Sequence, residues 1–262
     1  MPKKRPRPRP LSGAGRGKGP GARIFRCPVR PVTNSNHNQP DRQKRTALTR
    51  RDLLITINHL GGASYDDIVL QASFTLAFAG FLRVGEFTYR QIDQELGFAF
   101  QNWFLTKSSI SLSDSRRYIE LSLPASKTDP FRHCIQLIIA ACDDQGCPVA
   151  AMRRLMHMDT HRPPGAFLFC IGRRGQYTFT REYVVQKLQE LAIRGGLGGG
   201  TWNEHSFRRG AATWAAEVAI AERQIQALGR WRSEAYKTYI EYSKEERIAL
   251  SHHFQHPRAA HL

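Results

Sequence analysis

The spacing of the hydrophobic residues changes twice along this chain of 262 residues, and these changes limit the folds that it can adopt. Apolar residues recur at helical spacing from Leu53 to Ala79, alternate between Ile110 and Ile139, and return to helical spacing after Cys147. The alternating part consists of three short runs separated by turn-forming residues, which predicts three antiparallel strands. We therefore predict a mainly α fold with a small three-stranded antiparallel sheet.

Capping residues mark the ends of the predicted helices. Thr49 and Asp52 have the spacing of a capping box, and Ser64 with Asp67 can cap a second helix that is apolar nearly all round. Gly80 ends this second run, which is typical of a helix at the centre of a core. Further helices are predicted at 148–158, at 181–194, from 206, around 221–228 and from 233, with a short strand at 167–170.

The basic residues are concentrated at the beginning of the chain. Fifteen of the 39 lysines and arginines lie in residues 1–51, where Asp41 is the single acid, so most of the formal net charge of +17 belongs to this segment. Because the segment is rich in Pro and Gly and poor in large apolar residues, it cannot bury enough surface to offset its ordering entropy, and we predict disorder. We expect a basic tail over 1–45, one domain over 46–250 and a short tail over 251–262.

The first residues of this tail suggest a destination and a partner. Lys3, Lys4, Arg5, Arg7 and Arg9 are typical of a nuclear-import signal or a nucleic-acid-binding patch. The alternative is a leader that merely increases solubility or was wrongly assigned to the chain. No apolar stretch approaches the roughly 18 residues of a membrane helix, so we expect no membrane partner. We expect a nuclear location in a eukaryotic cell and a cytoplasmic one otherwise.

The cysteines do not indicate a metal site. They number five and form no C-x-x-C pair. Cys142 and Cys147 with His133 suggest zinc, but the paired ligand spacing of structural zinc sites is missing. We therefore expect reduced thiols in an intracellular protein, and no bound metal.

Polar residues that interrupt the structured segments describe a site for a phosphodiester. Arg83 follows the second helix and Arg208 lies at the start of a later one. Each guanidinium can direct a planar set of donors at phosphate oxygens, and such charge-assisted bonds contribute roughly 1.5–3 kcal/mol apiece. His205 lies three residues before Arg208, on the same face of a helix start, and can exchange a proton or hold a phosphate oxygen.

Lys127 and Tyr239 supply the remaining chemistry. The flexible ammonium of Lys127, in a turn between two strands, can protonate a leaving oxygen. Tyr239 is the candidate nucleophile, and because a free tyrosine ionises only at about pH 10 it needs nearby cations or a base. Tyr236 and Tyr242 are alternatives, since the three tyrosines recur at a three-residue spacing that a core stripe also explains.

The order of these motifs resembles the catalytic domain of the tyrosine recombinase, or phage integrase, family over about residues 46–250. The matching elements are GFLRVGE with Arg83, SKTD with Lys127, the H-x-x-R helix of His205 and Arg208, LGRW, and Tyr239. The resemblance implies that Tyr239 cuts one strand of double-stranded DNA, leaving a 3′-phosphotyrosine and a 5′-hydroxyl, and rejoins it to another strand. It also implies a synaptic tetramer, and chemistry that needs no metal, no ATP and no other cofactor.

The chain departs from the family's pattern near the tyrosine. The family has His or Trp nine residues before its nucleophile, where this chain has Arg230, whereas counting forward from Arg208 points to Trp231. Either Trp231 packs against the phosphate or Arg230 adds a third cation, and we include Arg209 as a further DNA contact. The LGRW motif resembles the corresponding motif in recombinases of eukaryotic mobile elements of the Crypton kind.

A second departure concerns the segment before Thr46. Family members place a helical core-binding domain there, and we expect none in this chain. Two interpretations follow: an active recombinase that integrates or recombines DNA, or a catalytically inactive DNA-binding relic of a mobile element. A third, an RNA-binding protein with an Arg/Gly arm, lacks an RNA-binding motif in the part predicted to be ordered.

Overall fold

The helices and strands follow the predicted order along the chain. The computed structural model describes residues 46–91, 103–124, 134–198, 200–238, 240 and 248. Its helices are α1 Arg50–Asn58, α2 Tyr65–Ala79, α3 Val84–Phe87, α4 Pro148–Met158, α5 Arg181–Arg194, α6 Ser206–Glu217 and α7 Glu222–Leu228. Its strands are β1 Ile110–Leu112, β2 Tyr118–Leu123, β3 Ile135–Ala140, β4 Cys170–Ile171 and β5 Tyr177–Thr178, and 3-10 turns cover Lys107–Ser109 and Glu234–Thr238.

The first two helices begin at the predicted caps. The Thr49 hydroxyl accepts a hydrogen bond from the backbone N–H of Asp52 at 3.1 Å, and the Asp52 carboxylate accepts one from the N–H of Thr49 at 3.1 Å. The Ser64 hydroxyl caps α2 by accepting from the N–H of Asp67 at 3.0 Å. Every residue of α2 from Ala72 to Phe78 is buried, and the helix packs against α4 and α6. The predicted core helix is confirmed.

The predicted three-stranded antiparallel sheet is also confirmed. The central strand β2 pairs with β1 on one side and β3 on the other. Ile119 lies opposite Leu112 and Ile139, so alternate apolar residues form one buried face. The predicted short strand exists at Cys170, where β4 pairs with β5, a partner strand that the sequence did not predict.

Small residues let α6 approach the segment before α1 closely. A Cβ atom on Gly210 would lie 1.7 Å from the carbonyl oxygen of Leu48, so the helix passes directly against this backbone. The N–H of Leu48 donates to the carbonyl oxygen of Ser206 at 3.1 Å. The neighbouring Phe207 packs against α2, with its ring centroid 5.1 Å from that of Phe74. The start of α6 is thereby held against the core.

Two absences hold for the part of the chain that the structure describes. There, no helix has the length and apolar character that crossing a bilayer requires. The described residues also contain no group of three or more His, Cys, Asp or Glu side chains placed to hold a metal ion, and the four described cysteines are free thiols.

Candidate active site

Arg208 is the centre of the candidate site. Its side chain is 1% exposed. Nη1 donates to the carbonyl oxygen of Phe81 at 2.7 Å, and Nη2 donates to the carbonyl oxygen of Gly229. The guanidinium carbon lies 4.3 Å from the centroid of the Trp231 ring, within cation–π range. The side chain therefore connects α6 to the loop before α3 and to the turn after α7.

The two segments that hold Arg208 contain uncommon backbone conformations. Phe81 has φ 51° and Arg230 has φ 57°, both in the left-handed region that non-glycine residues rarely adopt. Such conformations cost about 1–2 kcal/mol each and persist where surrounding contacts compensate for them. Here the compensation is the set of bonds between Arg208, Arg230 and the carbonyl groups of the loop at 80–81.

Arg230 is engaged with protein groups. Its Nη1 donates to the carbonyl oxygen of Gly80 at 2.8 Å, and its Nη2 lies 3.0 Å from Oε2 of Glu86. Its side chain is 12% exposed. Burial lowers the pKa of the Arg230 guanidinium, and the neighbouring Glu86 carboxylate opposes that shift. The Arg230 guanidinium is thus largely buried and bonded to groups of the protein. Its contact with DNA stays a prediction.

The ring of Trp231 covers the guanidinium of Arg208. Its ring also makes an edge contact with Phe81, with the ring centroids 6.1 Å apart. A Cβ atom on Gly229 would lie 1.6 Å from the Trp231 ring, so the ring reaches this position only because residue 229 is glycine. Of the two adjacent residues that the sequence could not distinguish, Trp231 packs on Arg208 and Arg230 binds Glu86.

Arg83 lies at the N-cap of α3 and shares Glu86 with Arg230. Its backbone N–H donates to Oε2 of Glu86 at 2.9 Å, and its Nη1 lies 3.1 Å from Oε1. Its side chain is 48% exposed, which leaves it accessible to a ligand. The carboxylate of Glu86 therefore joins Arg83 and Arg230, a role that sequence reasoning missed although the R-x-x-E spacing carried the signal.

His205 is the residue at which α6 begins. Its backbone N–H donates to Oδ1 of Asn203 at 2.9 Å, and its Nε2 lies 3.4 Å from Oε1 of Glu204. The carbonyl oxygen of Glu204 accepts from the N–H of Val84 at 3.2 Å, which fixes the start of α6 beside α3. His205 and Arg208 are thus near each other in the fold, but the imidazole is partly exposed whereas the guanidinium is buried.

The remaining predicted residues divide into two groups. Arg209 is partly buried on α6. Outside the described residues lie the turn residue, the nucleophile and the basic residues of the tail, namely Lys127, Tyr239, Lys3, Lys4, Arg5, Arg7 and Arg9. Their predicted roles stay predictions.

Tyr236, one of the alternative nucleophiles, is a core residue. It is 3% exposed, and its ring centroid lies 5.8 Å from that of Trp231. Its hydroxyl donates to Oε2 of Glu222 at 3.1 Å. Burial raises the pKa of the Tyr236 hydroxyl, and the hydrogen bond to Glu222 adds a smaller shift in the same direction. The raised pKa disfavours the phenolate that attack on phosphorus needs.

Comparison with solved structures identifies the fold. No protein-family model and no curated protein sequence matches the chain. The XerA recombinase aligns with a TM-score of 0.56 at 16% identity, over 85% of this chain and 68% of that protein. The XerH site-specific recombinase, bound to its palindromic difH substrate, aligns with a TM-score of 0.56 at 12% identity, over 80% of this chain and 52% of XerH.

A transposon enzyme has the same fold. The Tn1549 transposon integrase, solved as residues 82–397 in complex with transposon right end DNA, aligns with a TM-score of 0.51 at 13% identity, over 83% of this chain and 68% of the solved integrase chain. This chain thus spans about half of the solved XerH chain and about two thirds of the other two solved chains. It has the mainly α fold, with a small antiparallel sheet, of tyrosine recombinase catalytic domains.

Proposed function

We propose that this protein cleaves and rejoins DNA strands through a covalent phosphotyrosine intermediate. The observation that carries the proposal is that three separate segments of the chain meet at one point in a recombinase fold. Their side chains there are Arg83 and Glu86 from the first segment, Arg208 from the second, and Arg230 and Trp231 from the third. Three arginines and one glutamate give this junction a positive formal charge, which favours the approach of a phosphodiester.

The proposed reaction is a transesterification at phosphorus. The phenolic oxygen of Tyr239 forms a bond to the phosphorus, and the bond between phosphorus and the 5′ oxygen breaks. Arg83 and Arg208 stabilise the charge on the non-bridging oxygens, because preorganised cations bind the transition state better than the ground state. His205 takes up the tyrosine proton, and Lys127 donates a proton to the leaving 5′ oxygen. In the reverse step a new 5′-hydroxyl gives its proton to Lys127 and attacks the phosphorus, the bond to the Tyr239 oxygen breaks, and His205 returns the proton to the released tyrosine.

Arg208 is suited to this role because its orientation is fixed in the free protein. Its two bonds to backbone carbonyls and its contact with Trp231 hold the guanidinium plane without a ligand. A group that is already oriented loses little freedom when the transition state forms, so its electrostatic effect is large.

Replacing Tyr239 with phenylalanine tests this chemistry. Tyr239→Phe is expected to bind DNA as the wild type does and to form no covalent adduct, because phenylalanine lacks the attacking oxygen. The measurement is to stop cells with detergent, recover the protein-linked DNA and sequence the junctions. Tyr242→Phe is the matched control and is expected to retain the adduct. An undiminished adduct in Tyr239→Phe would place the nucleophile elsewhere.

A DNA-binding protein that no longer cleaves is the second candidate. The observation in its favour is that protein groups hold the guanidinium groups of Arg208 and Arg230, whose side chains are 1% and 12% exposed. In that case neither the wild type nor Tyr239→Phe gives protein-linked DNA, while both bind DNA in purified form.

We further propose double-stranded DNA as the partner, assembly of copies of this chain on it, and a nuclear location in a eukaryotic cell. The DNA-bound XerH recombinase and Tn1549 transposon integrase support the first point, and the concentration of basic residues in 1–51 supports DNA binding and nuclear import. The LGRW motif supports an origin in a mobile element of the Crypton kind.

A further inference from the structure

Glu204 lies between two basic side chains from different elements. Its carboxylate forms an ion pair with Arg181, the first residue of α5, and its Oε1 lies 3.4 Å from Nε2 of His205. Arg181, Glu204 and His205 line the same cavity of about 400 Å³, together with polar residues of α5 such as Gln186 and Gln189. The contact joins the predicted proton-transfer residue to a helix that no sequence motif implicated.

The backbone around Glu204 is held in place on both sides. The Ser206 hydroxyl accepts from the N–H of Asn203 at 2.9 Å, and the Asn203 side chain accepts from the N–H of His205 at 2.9 Å. The carbonyl oxygen of Glu204 accepts from the N–H of Val84 at 3.2 Å. These bonds fix the main chain from which the carboxylate of Glu204 and the imidazole of His205 extend, so the two groups start from defined neighbouring positions, as an orienting partner and its histidine must.

We propose that Glu204 is a positioning residue, which orients the imidazole of His205 and stabilises its protonated form, and that Arg181 limits this effect by sharing the carboxylate. This inference rests on the proposed phosphodiester chemistry, in which His205 takes up and returns a proton.

The charges around the imidazole determine the sign of each effect. Glu204 favours the imidazolium, and Arg181 across the cavity disfavours it. Among the described residues, the elements beside His205 also carry Glu182 on α5, Arg208 and Arg209 on α6 itself, Arg83 at the N-cap of α3 and Glu86 within α3. Glu182 lines the same cavity, but within the described part of the chain Glu204 forms its ion pairs with Arg181 and His205. Loss of Glu204 or of Arg181 therefore has opposite effects on His205, which purely structural damage does not produce.

The test is a histidine titration of the full-length protein by NMR, with ¹³C-labelled histidine. The chain has ten histidines, and His205→Gln identifies the signal of His205. Glu204→Gln is expected to lower the midpoint of this titration by about half a pH unit to one pH unit, and Arg181→Gln to raise it by a similar amount. Glu182→Gln is the matched control, with a smaller shift. Shifts of the same sign in Glu204→Gln and Arg181→Gln, or a Glu204→Gln shift no larger than that of Glu182→Gln, would overturn the inference.

A second measurement separates this inference from the proposed function. The rate of adduct formation on an oligonucleotide is recorded from pH 5 to pH 9 for the wild type and Glu204→Gln. The pH dependence of the variant is expected to move in the same direction as its NMR midpoint. If the wild type forms no adduct at any pH, the proposed function fails, while the titration still decides whether Glu204 controls His205.

Discussion

Arg230 and Trp231 show what a spacing argument can and cannot determine for single residues. Counting from the tyrosine selects Arg230, and counting from Arg208 selects Trp231. Distance along the chain does not define the direction of either side chain. The left-handed conformation of Arg230, with φ 57°, is a feature of the turn that this counting cannot predict, and the two neighbours contact different groups. The same limit applies to Glu204, because only the folded chain brings Arg181 to it.

Removal of the Arg230 side chain tests whether it has a structural role in the site. Arg230→Ala is expected to lower the free energy of unfolding by about 2–4 kcal/mol, because it removes a basic partner of Glu86 and leaves the carbonyl of Gly80 without this donor. The measurement is urea unfolding followed by tryptophan fluorescence. Arg223→Ala, which removes an exposed arginine from α7, is the control, with an expected change of less than about 0.5 kcal/mol. Equal effects of the two variants would show that the contacts of Arg230 contribute no stability.

Strong capping residues made whole elements more predictable than single contacts. The predicted helices at 148–158 and 181–194 have the observed bounds. The first has Cys147 at its N-cap and Pro148 at its first position, and the Thr180 hydroxyl caps the second by accepting from the N–H of Tyr183 at 3.2 Å. Strand β5 was missed because two residues are too few to show alternation, and the segment predicted as a helix from 233 begins as a 3-10 turn over Glu234–Thr238.

The close approach of α6 to the chain before α1 can be tested with a pair of glycines. Gly210→Ala is expected to lower the free energy of unfolding by about 1–3 kcal/mol, because the added methyl group would lie 1.7 Å from the carbonyl oxygen of Leu48 and one of the two segments must move. Gly85→Ala, in α3, has no atom within 4 Å of the added group and is expected to be neutral or to stabilise by up to about 1 kcal/mol.

The comparison depends on the sign of the effect. Alanine favours a helix over glycine at both positions by propensity alone, so a loss at Gly210 reports the contact with Leu48 and not the helix. Calorimetric melting of both variants against the wild type measures the difference. A stabilising Gly210→Ala would mean that α6 does not pass against the backbone of Leu48.

The charge distribution of the whole molecule was visible in the sequence, whereas the assembly of its site was not. Residues 52–262 contain nearly equal numbers of bases and acids, so the fold does not have a strong net charge of its own. Its local positive charge at Arg83, Arg208 and Arg230 arises because three segments meet, which composition does not reveal. We therefore expect the tail and the fold to make separate contributions, with affinity for DNA from the tail and cleavage from the fold.

Substitution of the first basic residues of the tail separates these two contributions. A variant with Gln in place of Lys3, Lys4, Arg5, Arg7 and Arg9 is expected to reduce the slope of log K against log salt by up to about 4.5, because each lost phosphate contact lowers the slope by roughly 0.9. Fluorescence anisotropy with labelled duplex DNA at several salt concentrations measures the slope. A variant lacking residues 1–45 is expected to show a larger reduction.

The contribution of the folded domain to cleavage is measured by adduct formation with the same variants. At low salt and saturating duplex, where weaker affinity no longer limits binding, the variant with five substitutions is expected to form the Tyr239 adduct at the wild-type rate, because the proposed reacting groups all lie outside the tail. Tyr239→Phe shows the reverse pattern, with the wild-type slope and no adduct. An unchanged salt slope in the substituted variant would mean that these five residues do not contact phosphates. A lost adduct at saturation would instead place part of the reaction's requirements in the tail.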